Sequence, residues 1–419
     1  MTGSFTTLNA LLEALARAMN LVNPQLENHH QQTAYLAFLL ARAAGMDELS
    51  QERALCAALL HDVGSIISEE QESLEEIERQ SIQVTQMGAQ ILFGIPELEA
   101  VAEIIHYCQL PWNQYPASCS MGDAECVQLA RISSIVHLAD NVSTVLTMDP
   151  EAPVLNQMEK VRSAVAAVRG KVYSAEAVDA FEALYPMEFF WFDMKYHPSF
   201  LSFFTGALRS VSLERAAQLT QVVSHIIDYR SSFTAMHSAG VAASAEALAR
   251  LAGMTPEEQL MMRIAGNLHD VGKLKVPRSI LEKPGKLTDA EFNVVKEHPY
   301  YTRVILMDIP GFERIADWAG YHHEKLNGRG YPFHFGGDRL DLGCRIMAVA
   351  DIFSAITEER PYRAGMPREQ AQKVLLENVA SGATCEGITT LLLDHYDQVD
   401  TARDQAARQA GKRYFDSMQ

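Results

Sequence analysis

The sequence predicts an all-α protein made of two related helical domains. Three observations carry that expectation. Apolar residues recur three and four apart along most of the chain, no segment alternates convincingly like a half-buried strand, and one short run occurs twice. The helical spacing is plainest in three stripes. Leu36 and Leu40 continue a stripe that includes His29. Phe233, His237, Gly240, Val241, Ser244, Leu248 and Leu251 form a second, and Ile346, Val349, Ala350, Phe353 and Ile356 a third.

The repeated run is Leu60-His61-Asp62-Val63-Gly64, which returns 208 residues later as Leu268-His269-Asp270-Val271-Gly272. The same offset carries His29 onto His237. Further on, Ile91-Leu92 and Ile95-Pro96 match Ile305-Leu306 and Ile309-Pro310, and Leu138-Ala139-Asp140 matches Val349-Ala350-Asp351. Matches in one order point to two copies of a domain. We place the first at 1–150 and the second at 215–419, with a helical connector at 151–214 that opens on the turn-rich Asp149-Pro150-Glu151-Ala152-Pro153. The connector's aromatic residues, Phe189 to Phe204, are expected to pack between the domains.

Composition narrows the function. Hydrophobic residues make up 48% of the 419, enough for real cores, and the formal charge of −18 argues against long nucleic acid. Neither a signal peptide nor a membrane span is expected, because the apolar stretches are short or interrupted by charge. These features together imply a cytoplasmic protein. Six scattered cysteines without a C-x-x-C pair imply reduced thiols and no cysteine-based metal site.

Seven potential metal ligands fall in the second half: His237, His269, Asp270, His298, His322, His323 and Asp351. One histidine on an apolar face is usually a satisfied core residue. Seven such groups need another account, because buried polar groups require partners. His322 and His323 precede a segment rich in glycine and ending in proline, where a helix must stop. Imidazole with carboxylate suits iron, manganese, zinc or nickel.

These residues resemble the HD-GYP subgroup of the HD phosphohydrolase superfamily. The matching pieces are His269-Asp270-Val271-Gly272-Lys273, His298-Pro299, His322-His323-Glu324, Gly328-Arg329-Gly330-Tyr331-Pro332, Asp351 and Arg360-Pro361-Tyr362-Arg363. The resemblance implies one metal on His237, His269, Asp270 and Asp351, and a second on Asp270, His298, His322 and His323, with Asp270 bridging. Some members use a Glu one turn before the first His for a third iron. Phe233 stands there, which favours two. The implied cofactors are two divalent ions, iron or manganese first, with nickel, zinc, cobalt or magnesium as alternatives. The implied substrate is a cyclic dinucleotide, cyclic di-GMP first and cyclic GMP-AMP second. Two metals about 3.5–4 Å apart can share a hydroxide and clamp an in-line displacement at phosphorus. Lys273, three residues after Asp270, is assigned to a phosphate oxygen or the leaving group. Arg360, Arg363 and the Gly330-Tyr331-Pro332 turn are assigned to substrate binding.

The first copy keeps His29, His61, Asp62 and Asp140, a minimal ligand set that can hold one metal. It has Ser65 in place of Lys273, Val84 in place of His298, His106-Tyr107 in place of His322-His323, and Gln114-Tyr115-Pro116 in place of the Gly-Tyr-Pro turn. This degenerate HD domain is expected to serve dimerisation or a signalling partner rather than catalysis. A non-hydrolytic sensor or scaffold and a di-iron oxygenase of the same fold are the competing functions.

Overall fold

The computed structural model describes residues 5–22, 28–66, 74–115, 123–148, 151–196, 210–228, 236–358 and 364–417. Helices supply almost all regular structure among them. The exception is one antiparallel pair, β1 (Thr6–Thr7) with β2 (Ser210–Val211). The chain divides into two compact units. The first is Leu15–Leu208, and the second combines Met1–Ala14 with Arg209–Gln419. Residues 5–14 thus associate with the second unit, although they precede the first. The pairing of β1 with β2 and the contact of Phe5 with Phe312 (ring centroids 5.7 Å apart) hold them there.

In chain order the helices of the first stretch are α1 (Leu8–Asn20), α2 (His29–Ala43), α3 (Glu48–Leu60), α4 (Leu74–Leu92), α5 (Glu99–Tyr107) and α6 (Ala124–Met148). The Asp47 carboxylate caps α3 by accepting from the Ser50 amide at 2.8 Å, which satisfies one of the orphan donors of a helix start. Helix α2 is buried along almost its whole length and packs on α3 and α6. Its apolar stripe at Leu36 and Leu40 is wholly inaccessible to solvent.

The expected connector forms α7 (Val154–Ala167), α8 (Ala175–Leu184) and α9 (Glu188–Tyr196). These pack within the first unit, α8 and α9 against α2, and Tyr35 donates to Asp193 at 3.0 Å. The expectation of packing between domains is therefore corrected for Phe190 and Trp191. Both are fully buried inside the first unit, where Trp191 lies edge-on to Phe181 and Tyr185. The spacing showed a buried aromatic face but not which neighbour covers it. Phe200, Phe203 and Phe204 lie outside the described residues.

The second unit contains α10 (Leu213–Asp228), α11 (His237–Leu251), α12 (Pro256–Leu268), α13 (Arg278–Leu281), α14 (Asp289–Val295), α15 (His298–Met307), α16 (Glu313–Gly320), α17 (Leu342–Thr357), α18 (Arg368–Ala380), α19 (Glu386–Asp394) and α20 (Tyr396–Ser417). Helix α11 is its centre and packs on α12, α17 and α20. Helix α12 starts at a capping box, with Thr255 and Glu258 exchanging backbone bonds and Pro256 in the first turn. Helix α17 starts at Asp341, which accepts from the Cys344 amide at 2.9 Å and from the Trp318 indole at 3.0 Å.

No helix among the described residues is long and apolar enough to cross a membrane. Cys56, Cys108, Cys344 and Cys385 are free thiols, but Cys126 is disulfide-bonded, a correction to the reduced state expected there. Pairing depends on the approach of two Cα atoms rather than on a C-x-x-C spacing.

Candidate metal centre

Helix ends supply six of the second unit's seven ligands, and the interior of α17 supplies the seventh. His237 is the first residue of α11 and His298 the first of α15. His269 caps the C-terminus of α12, and Asp270 follows at the entry to a 3-10 turn, Val271–Lys275. His322 and His323 follow the end of α16, and Asp351 sits inside α17. Gly272 allows this close assembly. A Cβ there would collide with the His298 carbonyl oxygen and lie 2.8 Å from the Thr302 amide nitrogen.

Asp270 stands between two groups of imidazoles. Its Oδ2 is 3.2 Å from His269 Nε2 and 4.0 Å from His237 Nε2. Its Oδ1 is 3.4 Å from His298 Nε2 and 4.0 Å from His322 Nε2. On the first side Asp351 Oδ1 lies 3.1 Å from His237 Nε2 and 4.0 Å from His269 Nε2. On the second side His298, His322 and His323 present ring nitrogens to one another within 4.8 Å.

The orientation of the rings fits metal binding. His269, His298 and His322 each point Nδ1 at a backbone carbonyl three residues earlier, at 2.8, 2.7 and 2.5 Å. A carbonyl oxygen only accepts, so Nδ1 carries the proton and Nε2 presents a lone pair, the usual outer arrangement of a metal-ligating histidine. His298 Nε2 and His322 Nε2 then face each other at 3.2 Å with no proton to share between the neutral rings. His269 Nε2 and Asp270 Oδ1 are buried without a hydrogen-bond partner. Such atoms are costly to bury unless a cation or proton satisfies them. The clusters can therefore bind metal ions.

The electrostatics of the two sides differ. Burial pushes His298 down to about 3 and His322 down to about 4, so both are neutral at physiological pH. Burial also acts to lower His237, but its contacts with Asp351 and Glu358 outweigh that and push it up to about 9. The Asp270 carboxyl is held well below its usual range. Burial opposes this, and the neighbouring His269 and Lys273 overcome it.

Lys273 Nζ donates to Asp270 Oδ2 at 2.6 Å, so the sequence-assigned lysine lies on the bridging carboxylate. The Gly-Tyr-Pro turn folds back on the paired histidines. The Tyr331 amide donates to the His323 carbonyl at 3.3 Å, and its ring lies 4.8 Å from that of His323. A Cβ on Gly330 would collide with the Glu324 Cα, which explains a glycine there. Pro332 follows a cis peptide bond. Arg360 and Arg363 lie outside the described residues.

Two residues to which the sequence reading assigned no role support the site. Glu358 Oε2 lies 3.3 Å from His237 Nδ1 and supports that ring where others use a carbonyl. Glu324 is buried and accepts from three successive amides, Phe333 at 2.7 Å, His334 at 3.2 Å and Phe335 at 3.0 Å, which fixes the loop after the turn. Its place directly after His323 was the available signal.

The first unit repeats half of this arrangement. His29 Nε2, His61 Nε2 and Asp140 Oδ1 lie 3.1–3.3 Å apart, and Asp62 Oδ2 is 3.3 Å from His61 Nε2. Gly64 meets Val84 as Gly272 meets His298, since its added Cβ would collide with the Val84 carbonyl oxygen. The helix crossing is thus the same, and only the ligand is gone. Tyr115 donates to the Tyr107 carbonyl at 3.0 Å, while Pro116 lies outside the described residues.

Comparison with known proteins gives two matches to HD domain families, at residues 26–145 and 221–383. The chain is 29% identical to the 3'3'-cGAMP-specific phosphodiesterase 1 of Vibrio cholerae, over 88% of this chain and 87% of that protein. It is 40% identical to a cyclic di-GMP phosphodiesterase of Pseudomonas aeruginosa, over 35% of each chain. A solved structure of a cyclic GMP-AMP specific phosphodiesterase from Vibrio cholerae resembles 94% of this chain and 98% of its own, with a TM-score of 0.63 and 26% identity.

Proposed function

Starting from a chain that carries two HD domains, the second of the HD-GYP kind, we propose a metal-dependent phosphodiesterase that hydrolyses a cyclic dinucleotide to its linear form. The observation that carries this reading is Asp270, whose two oxygens face separate sets of buried imidazoles. On this reading His237, His269, Asp270 and Asp351 hold one divalent ion, and Asp270, His298, His322 and His323 hold the other, iron or manganese in first place. Bound there, the ions supply charge neutralisation at the phosphate and lower the pKa of water toward neutrality.

The chain's own residues do the rest. Asp270 ties the two ligand sets together and stays ionised beside Lys273. Lys273 is partly exposed, so its ammonium can serve a phosphate oxygen as well as the carboxylate. Water adds to phosphorus, one ribose P–O bond breaks, and the departing ribose oxygen takes a proton. Tyr331 and Pro332, with Gly330 setting their approach, form a wall beside His323 for the substrate. Arg360 and Arg363 are assigned to its phosphates or guanine edge.

Cyclic GMP-AMP takes precedence over cyclic di-GMP as the substrate. The relative that matches across both units is named for the former, whereas the cyclic di-GMP relative matches only a third of the chain. The functional division stays at 1–150 for the degenerate HD domain, 151–214 for the connector and 215–419 for the phosphodiesterase domain. We place the protein in the cytoplasm and give the first domain to dimerisation or a signalling partner.

The test is direct. The chain, purified without chelator and assayed for metal, is incubated with each cyclic dinucleotide, and products are separated by chromatography. Linear dinucleotide from cyclic GMP-AMP at the higher rate is expected. Binding without turnover in the metal-loaded protein would identify a sensor instead.

A further inference from the structure

The first unit contains a histidine that belongs to no part of the repeat. His30 follows His29 on α2, and the position equivalent to it in the second unit is Ser238. His30 is 2% exposed, and its Nε2 is buried with no hydrogen-bond partner. We propose that the first unit binds a single transition-metal ion and that His30 is one of its ligands, in a site of three imidazoles and two carboxylates that the second unit does not possess.

The geometry of the three rings supports this. The centroids of His29, His30 and His61 form a nearly equilateral triangle with sides of 5.5, 5.3 and 5.5 Å. Each ring is anchored through Nδ1. His61 donates to the Ala58 carbonyl at 2.8 Å, and His29 is held by the Ser143 hydroxyl at 3.0 Å. His30 is held by Asn20 Oδ1. The Asn20 amide is itself oriented, because its Nδ2 donates to Gln31 Oε1 at 2.7 Å. With Nδ1 taken, each Nε2 turns away from its anchor, and His30 Nε2 stands 3.9 Å from Asp62 Oδ2.

Distances among three of the other ligand atoms suit one ion, and Asp62 Oδ2 stands 3.3 Å from His61 Nε2 and 4.0 Å from His29 Nε2. His29 Nε2 and His61 Nε2 are 3.3 Å apart, and Asp140 Oδ1 is 3.1 and 3.3 Å from them. Metal bonds of about 2.0–2.2 Å separate adjacent ligand atoms by roughly 3.0–3.5 Å in octahedral or tetrahedral sites. A second ion has no comparable seat. Gln109 Nε2 donates to Asp140 Oδ2 at 2.6 Å, occupying the oxygen whose counterpart on Asp351 faces His323. Val84 and Tyr107 replace two of the remaining ligands. Three imidazoles with two carboxylates select a borderline ion such as Fe²⁺, Mn²⁺, Co²⁺ or Zn²⁺ over Ca²⁺ or Mg²⁺.

This inference is independent of the phosphodiesterase reading and survives its failure. The experiment uses the full chain with His269→Ala and Asp270→Ala, which remove ligands of the second unit. Co²⁺ is titrated and bound ion counted after equilibrium dialysis, with circular dichroism confirming the fold. The expected result is a Co²⁺ site that weakens by about 10- to 100-fold when His30→Ala is added. Asn20→Leu, which frees Nδ1 but keeps the imidazole, is expected to weaken the same site by a smaller factor and covers the case in which His30→Ala does not fold. A folded background protein that binds no Co²⁺ overturns the site. Unchanged affinity in His30→Ala, or in Asn20→Leu where the alanine variant does not fold, overturns the role of His30.

Discussion

Asp62 and Asp270 occupy the same place in two copies of one helical frame but have different neighbours. Around Asp270 the imidazoles lie on both sides, and a lysine sits on the carboxylate. Around Asp62 they lie on one side, and Ser65 stands where the lysine would. The frame itself is retained, because Gly64 and Gly272 each press against the backbone of the following helix. The same packing constraint therefore holds in both units although their ligand sets differ. A glycine that touches backbone is held by sterics, whereas a ligand on the far side of a carboxylate can be lost without disturbing the crossing.

The sharpest test of this contrast exchanges the two aspartates in turn. Asp270→Ala is expected to cut cyclic dinucleotide hydrolysis by more than about 100-fold, since even outer partners of metal ligands cost 10- to 100-fold. Asp62→Ala is expected to leave the rate within about threefold, as a residue outside the reacting centre should. Equal losses in steady-state assays would abolish the distinction between the units. Next, His298→Val gives the second unit the residue that the first has at Val84. One of the second unit's two ions should be lost by elemental analysis, with hydrolysis falling on the order of 100-fold. Lys273→Ser copies Ser65 and should retain both ions while lowering kcat about 10- to 100-fold, the weight of one charge-assisted hydrogen bond. A rate matching the parent would return Lys273 to an ordinary surface role.

The mildest effect concerns pH. In the metal-free protein His237 is protonated below about 9, so an ion entering its side must displace that proton. Affinity on that side should climb roughly tenfold per pH unit from pH 7 to 9 and then level. His298 and His322, already neutral above about 3 and 4, add no such dependence. The sign for stability is opposite. Because His237 is raised from 6.5, its charge stabilises the metal-free fold fully below that value, and the gain fades as pH rises through about 9. Calorimetric titration resolving the second unit's two ions, one pH-dependent and one not, is the expected record.

Much of this was legible in the sequence. The fold class follows from helical spacing, and Asp270 and the six residues found around it are named by the repeat and its accompanying histidines. What escaped shares a physical cause. Glu358 and Gln109 act on ligands through contacts that join different helices, and sequence spacing carries no sign of such contacts. His30 was hidden by its neighbour, since adjacent residues on a helix ordinarily face apart by about 100°. Here His29 and His30 open α2 just after Asn28 in the left-handed region (φ 63°), and their ring centroids lie 5.5 Å apart. The association of residues 5–14 with the second unit left no mark on periodicity either.

That last association governs the order in which the molecule can be made. Phe5 and β1 leave the ribosome long before Val211 and Phe312, and their backbone groups must wait for partners that the chain has yet to supply. The first unit can complete itself during that wait, but the second cannot finish until both of its pieces exist. A fragment starting at residue 210 would lack β1's pairing to β2 and leave Phe312 uncovered where Phe5 belongs. An extension fused ahead of residue 5, by the same logic, would be carried by the second unit.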